Sequence, residues 1–412
     1  MSVSNRVPVI SVQCDWDEVL RKKSGEAWVS CKFRGETGLH GKLFSRGQTD
    51  EGTPDVRGSD DFVVGKVTSS TLEVTYRPTG HKCVFISPRT VYTGIHKKSV
   101  VSLAVTPNGL SVSACTENKL QVWDANDGML RRSLSSHVGD VYKCRFFPSG
   151  VVVLSAGADM LIKIWSAETG QCPVTLSGHT GAVMDVCIVN RGRNIISVSK
   201  DGTAKLWDCG QSACLGTLIK VDSTINCCSL GVANNKLDLG EPDEAPSERE
   251  IGTEDKVLVI GCEDGGVHVV AVRSRKTLFS FMLSSAINCV VVVSDNEFLV
   301  GCHSGEVLLY AFRENCNTPI VSWFESNSAA LCLLPYKARG FFVGKADGSC
   351  IYYRIPNSGD GDHLDTRLHL TGPDCDPVYD LASDGTAVYT ACRDATIRKY
   401  EVQNVILDVF KS

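Results

Sequence analysis

No apolar run in this 412-residue chain approaches the roughly 18 residues of a membrane span. Its opening stretch, MSVSNRVPVI, lacks the long apolar core of a secretion signal. There are 19 cysteines, but the count is odd and no Cys-x-x-Cys pair occurs, which argues against a secreted disulfide framework. Many of the thiols, Cys144, Cys187, Cys289 and Cys332 among them, sit inside apolar strand-like runs. They read as small buried hydrophobes in a reducing compartment. A soluble, intracellular protein is expected. Gly-rich phosphate loops, nucleophile elbows and metal-ligand spacings are absent too. GCEDGG (261–266) reads as a hairpin turn, and His363 and His369 have no ligand pattern around them. The vicinal Cys227 and Cys228 fall in an inner-strand run, where successive side chains face opposite ways, so they are not expected to form a redox pair with each other. No cofactor or metal is expected.

Charge is also short on the positive side. The net charge is −5; residues 1–95 carry 13 basic and 11 acidic groups, which leaves −7 for residues 96–412. Nucleic acid wants a basic face, so it is not expected as a partner. A basic protein surface suits this body better.

What the chain has is repetition. SVSACTENKLQVW (111–123), VLSAGADMLIKIW (153–165) and IISVSKDGTAKLW (195–207) share an apolar strand, a polar turn and a second strand closed by tryptophan. Weaker copies follow at 258–270, 298–310, 341–353 and 388–400. The closing positions, Trp123, Trp165, Trp207, Val270, Tyr310, Tyr353 and Tyr400, lie 42, 42, 63, 40, 43 and 47 residues apart. Each hairpin is flanked by further β-rich runs, and Gly-His and Trp-Asp pairs recur. This is the pattern of a WD-repeat blade, and the expected fold is all-β, a seven-bladed propeller at 89–412. RTVYTGIH (89–96) resembles an outer strand plus its Gly-His corner, so residues 89–95 are expected to close the last blade. The 63-residue spacing marks an insertion at 234–255, with eight acidic residues and two prolines; it reads as a solvated loop. Residues 1–85 do not fit the repeat. They read as a small, mostly β module beside the propeller, with a short helix capped by Asp15 and strands at EAWVSCKF, LHGKLF and STLEVTYRP.

The segment 178–208 carries His179, Ser197, Asp201 and Trp207 close together, as a hydrolytic triad would. The same set recurs as His137, Ser155, Asp159 and Trp165. A triad is needed once, beside an oxyanion hole. A constellation repeated at a fixed period is structural: aspartate, histidine, hydroxyl and indole satisfy one another's hydrogen bonds. In the first blade Glu117 replaces the aspartate, and blades four to six lack most members, so they are expected to be more mobile or irregular. The remaining function is binding, at the face made by the Gly-His corners and hairpin turns. Asp140, Tyr142, Met184, Lys200, Glu263, His303, Asp376, Tyr379 and Arg393 are expected there, and tyrosine beside carboxylates suits a protein surface carrying Lys or Arg.

The segments FFPSGVVVLSAGADMLIKIWSAE (146–168), GRNIISVSKDGTAKLWDCGQSACLGTL (192–218), PSEREIGTED (246–255) and GPDCDPVYDLA (372–382) go beyond the repeat consensus. Through them the whole chain resembles the proteasomal ATPase-associated factor family, WD-repeat chaperones of the proteasome regulatory particle. The resemblance implies a non-enzymatic, monomeric protein of cytoplasm and nucleus. It would bind the C-terminal domain of an ATPase subunit of the proteasome base, beside other base subunits, and restrain premature docking on the core particle. The alternatives are a ubiquitin-ligase substrate receptor or a general signalling scaffold. The receptor role is weakened because WDAN, WSAE and WDCG lack the arginine common two residues after Trp-Asp in such receptors.

Overall fold

The computed structural model describes residues 8–49, 52–135, 137–234, 237–313, 317–337, 339–356 and 366–409. Short β-branched and aromatic runs broken by turns fold as successive four-stranded antiparallel sheets. The innermost strands are Val100–Val105, Val141–Phe146, Val183–Val189, Ile225–Val232, Ile287–Val292, Ala330–Pro335 and Val378–Ser383. Neighbouring inner strands touch all the way round, and the last meets the first. The result is a β-propeller. In six blades three more strands follow outward in chain order. The seventh takes its outer strand from Thr90–Tyr92, which runs antiparallel to Ile397–Glu401 with Tyr92 opposite Ile397. Apolar faces are buried between consecutive blades; Leu206 and Leu218 of the third, for example, pack with Ile225 and Leu258 of the fourth.

One turn geometry explains the recurring Asp-Gly. The residue after each turn acid or serine has positive φ: Asn118 (59°), Met160 (64°), Gly202 (75°), Gly265 (93°), Gly305 (93°), Gly348 (83°) and Ala395 (65°). Glycine adopts this region freely. At Gly202 it is needed twice over, because a Cβ there would lie 2.2 Å from the Val221 carbonyl oxygen.

Blades four to six are as regular as the others among the described residues. Their inner strands carry the same register irregularity (Ile225/Cys227, Ile287/Cys289, Ala330/Cys332) as Val141/Lys143, Val183/Asp185 and Val378/Asp380. The expectation of irregular sheets there is therefore corrected. Loss of the polar network is offset by packing: Phe281, Phe298, Tyr310 and Phe312 form one buried aromatic group.

The insertion is a largely exposed loop among its described residues, and it is anchored at a few points. Glu250, with its side chain wholly buried, is clamped by Arg275 at 2.6 and 2.9 Å and accepts from the Thr253 hydroxyl at 2.8 Å. Asn194 of the third blade binds the Arg249 carbonyl and the Ile251 N–H, and Leu237 and Leu239 pack on the blade-four core. The segment is strapped across the face opposite the hairpin turns, and Arg273 and Lys276 neutralise Glu254 and Asp243.

The N-terminal module has a sheet of Val9–Val12, Glu26–Lys32, Leu39–Gln48 and Pro54–Gly58, followed by Phe62–Val67, Thr71–Tyr76 and His81–Ile86. Its core holds Trp16, Leu20, Val29, Leu43, Leu72 and Phe85. Asp15 precedes helix Trp16–Leu20 but makes no side-chain cap bond; its carboxylate accepts from Gln13 instead. The module does more than pack beside the propeller. His81–Ile86 runs parallel to Thr366–Leu370, the outer strand of blade six, joining both parts in one seven-stranded sheet. Trp16 donates to the Thr371 hydroxyl at 3.0 Å across the same seam. Among the described residues no helix is long and apolar enough to cross a membrane. His363 lies outside the described residues; His369 is buried against Phe85, with ring centroids 5.6 Å apart.

Candidate protein-binding face and its supporting network

The face is built by seven equivalent backbone bonds. In each blade the residue before the hairpin turn donates its N–H to a carbonyl at the entry of the inner strand: Thr116 to Ser99, Ala158 to Asp140, Lys200 to Ala182, Glu263 to Thr224, His303 to Ala286, Ala346 to Ala329 and Arg393 to Pro377. Lys200, Glu263, His303 and Arg393 thus hold one position in four blades, and all four are exposed. Tyr142, Met184 and Tyr379 line the mouth of the central channel, a cavity of about 620 Å³. Lys200 Nζ stands 6.0 Å over the Tyr142 ring, and Glu263 accepts from Asn226 Nδ2 at 2.7 Å. Arg393 pairs with Asp376 at 2.8 Å. Three of the nine expected residues thus line the channel and the other six do not; the charge of the set is mixed, and Asp376 is already answered by Arg393.

Beneath this face lie the histidine networks. His137 Nδ1 is 2.8 Å from Asp159, its Nε2 is 2.7 Å from Ser155 Oγ, and Trp165 Nε1 donates to the same Oγ at 2.8 Å. In the third blade the His179–Asp201, His179–Ser197 and Trp207–Ser197 distances are all 2.8 Å. A neutral histidine with its proton on Nδ1 satisfies every partner: it donates to aspartate and accepts from serine, while serine accepts from the indole. Burial holds His179 and His137 below the ordinary histidine value, against the pull of their aspartates. Burial would raise Asp201, but hydrogen bonds from Thr203, the Thr180 N–H and His179 outweigh it and keep the carboxyl low. The serines are fully buried beneath the sheet, with no open substrate position at either.

In the first blade His96 reaches Ser113 at 2.6 Å and Trp123 donates to that hydroxyl at 3.0 Å. Glu117, however, turns out to Lys119, and the buried His96 Nδ1 has no hydrogen-bond partner among the described residues. Glu117→Asp is expected to stabilise the fold by about 1 kcal/mol by supplying the acceptor, since the exposed Glu117–Lys119 pair it sacrifices contributes little. Burial, with Lys119, lowers His96 to about 4 from 6.5. The unfolded chain therefore takes up this proton first, and stability falls as pH drops from about 6.5 to about 4. The shorter carboxylate of the Glu117→Asp variant should raise the folded value and shrink that loss. Thermal melts of both proteins from pH 7 to pH 4 check the point; an unchanged or lower melting temperature at neutral pH rejects it.

The channel holds charges that reading the sequence missed. Asp380, 3% exposed, accepts from Ser102 Oγ at 2.8 Å and Leu103 N–H at 3.0 Å, and pairs with Lys143 at 3.3 Å and Arg145 at 3.4 Å. Burial opposes its ionisation, but the two cations and the N–H prevail and hold it below the usual range. Asp185 likewise accepts from the Cys228 N–H at 3.1 Å. The signal was present as charges inside apolar inner-strand runs, two in VYKCRFF and one each in VMDVC and VYDLA. No group of three or more histidine, cysteine or acidic residues among those described could hold a metal ion.

Comparison with known proteins fits this architecture. The WD domain, G-beta repeat family matches residues 128–166 and 170–208, the two blades with complete networks. Over 394 residues the chain is 45% identical to proteasomal ATPase-associated factor 1 of Gallus gallus, covering 95% of this chain and 98% of that protein. It is 44% identical over 397 residues to proteasomal ATPase-associated factor 1 of Homo sapiens, covering 96% and 99%. A probable proteasomal ATPase-associated factor 1 of Dictyostelium discoideum is 34% identical, with 96% of each chain covered. At that identity, end to end across module, propeller and insertion, the chain belongs to the proteasomal ATPase-associated factor 1 family.

Proposed function

We propose that this protein is a non-catalytic binding factor of the proteasome. It engages an ATPase subunit of the regulatory-particle base through that subunit's C-terminal domain, beside other base subunits, and restrains premature association with the core particle. One observation carries the reading: relatives named for association with proteasomal ATPases align with at least 95% of this chain. A non-enzymatic role is supported by the Ser-His-Asp sets, which are buried struts repeated from blade to blade. The protein acts as a monomer in cytoplasm and nucleus. Binding uses the channel-mouth face, with Asp140, Glu263 and the tyrosines Tyr142 and Tyr379 meeting Lys or Arg on the partner.

The tagged full-length chain should capture base ATPase subunits from cytosol without mature core particle. Capture of cullin adaptors instead would make it a ubiquitin-ligase receptor. Combined Asp140→Lys and Asp376→Lys should weaken ATPase binding by at least about tenfold. Asp376→Lys also sets a lysine against Arg393, so melting temperature is measured alongside. Unchanged binding by a folded variant would move the site to the opposite, insertion-bearing face.

A further inference from the structure

The sequence invites a test of Cys227 with Cys228, but the fold separates them. Cys227 Sγ points to the Gly261 carbonyl within its own blade, whereas Cys228 Sγ lies 3.4 Å from Cys187 Sγ of the preceding blade. Cys187 is partly exposed and Cys228 is 5% exposed, and both line the central channel. A small solute entering the channel therefore reaches this pair. The strands carrying them are held in register at this level, because Asp185, two residues before Cys187, accepts from the Cys228 N–H. The sulfurs are already in van der Waals contact. Rotation about the side-chain bonds must bring them to the roughly 2.05 Å of a disulfide.

We propose that Cys187 and Cys228 form a peroxide-responsive dithiol that closes to a reversible disulfide between the third and fourth blades. The oxidant is a hydroperoxide. The Cys187 sulfur attacks the peroxide O–O bond, giving a sulfenic acid and, from hydrogen peroxide, one water. Cys228 then attacks that sulfur, its S–H proton leaves with the hydroxyl as a second water, and the S–S bond forms. Two thiols are oxidised and one peroxide is reduced. The Cys187 hydrogen bond and burial keep Cys228 protonated, well above the ordinary thiol value. Cys187, the more exposed of the two, is therefore oxidised first.

The test uses the full reduced chain treated with hydrogen peroxide, then alkylated, digested and mapped by mass spectrometry. The expected product is an intramolecular Cys187–Cys228 peptide, with two fewer titratable thiols than the reduced chain's 19, and dithiothreitol restores both. Cys187→Ser should abolish the cross-link and leave Cys228 alkylatable after denaturation. The wild-type map needs no variant, so a fold defect in Cys228→Ala would not blunt the result. The proposal is overturned if Cys187 proceeds to sulfinic or sulfonic acid with Cys228 still reduced. It is equally overturned if the only disulfides join the exposed Cys214 or Cys375 between molecules.

Discussion

Asp380→Ala is expected to lower stability by about 3–5 kcal/mol, the cost of removing one partner from a buried charge cluster. The carboxylate serves three blades at once. It belongs to the inner strand of the seventh, binds Ser102 and Leu103 of the first, and neutralises Lys143 and Arg145 of the second. Without it two cations face each other in the channel, and an inner-strand N–H loses its acceptor. Asp380→Asn should cost less, because an amide oxygen still accepts from Leu103, yet the lysine and arginine then keep only the weaker pull of Asp185. Lys143→Met in the Asp380→Ala background should recover part of the loss by removing one unpaired charge. Urea unfolding of the four proteins checks the series. An Asp380→Ala cost below about 1 kcal/mol would mean that water in the channel already screens the cluster.

Trp207→Ala should cost a similar amount, about 3–5 kcal/mol, through cavity formation at a fully buried site. The indole packs against His179 at 5.8 Å between centroids and donates to Ser197, so its removal also loosens the corner. Ser197→Ala deletes only the hydroxyl and should cost about 1–3 kcal/mol, because His179 and Trp207 then both lack their partner. The double variant should fall short of the sum, since both changes break one network. Neither variant should lose a hydrolytic activity. A purified protein that cleaves ester or peptide substrates, and stops doing so in Ser197→Ala, would contradict the structural assignment.

Much of the propeller could be read from residues because each blade repeats one local solution. A hairpin acid, a positive-φ residue and a closing aromatic recur together, and each copy reinforces the others. The networks of His137 and His179 were legible for the same reason. The turn positions of Lys200, Glu263, His303 and Arg393 could be placed by blade equivalence, whereas pairing could not: Arg393 with Asp376 depends on how two loops approach, and no period encodes that. The exposed loop at 234–255 was legible in its composition, whereas its anchors were not: Glu250 meets Arg275 and Ile251 meets Asn194 only in the folded chain. The helix at Trp16 was expected with an Asp15 cap, but Gln13 competes for that carboxylate. Parallel pairing of His81–Ile86 with blade six left no trace in the sequence, since neither HKCVFI nor TRLHL carries a feature that names its partner. Cys187 and Cys228 belong to the same class, neighbours only because adjacent inner strands are staggered round a channel.

The outer strand of the seventh blade has a consequence for the order of synthesis. Thr90–Tyr92 leaves the ribosome before any complete blade exists, and its partner Ile397–Glu401 is made only after the first six blades. The neighbouring strand His81–Ile86 waits almost as long for Thr366–Leu370. Blades one to five can pair their strands as they emerge, while Thr90–Tyr92 lacks its partner, and His81–Ile86 its second neighbour, until the seventh and sixth blades are made. A chain halted short of its last blade would carry Thr90–Tyr92 unpaired, a state prone to pairing with other chains. The ring thus closes on a strand made before any blade, and loss of the seventh blade should leave that strand without its partner.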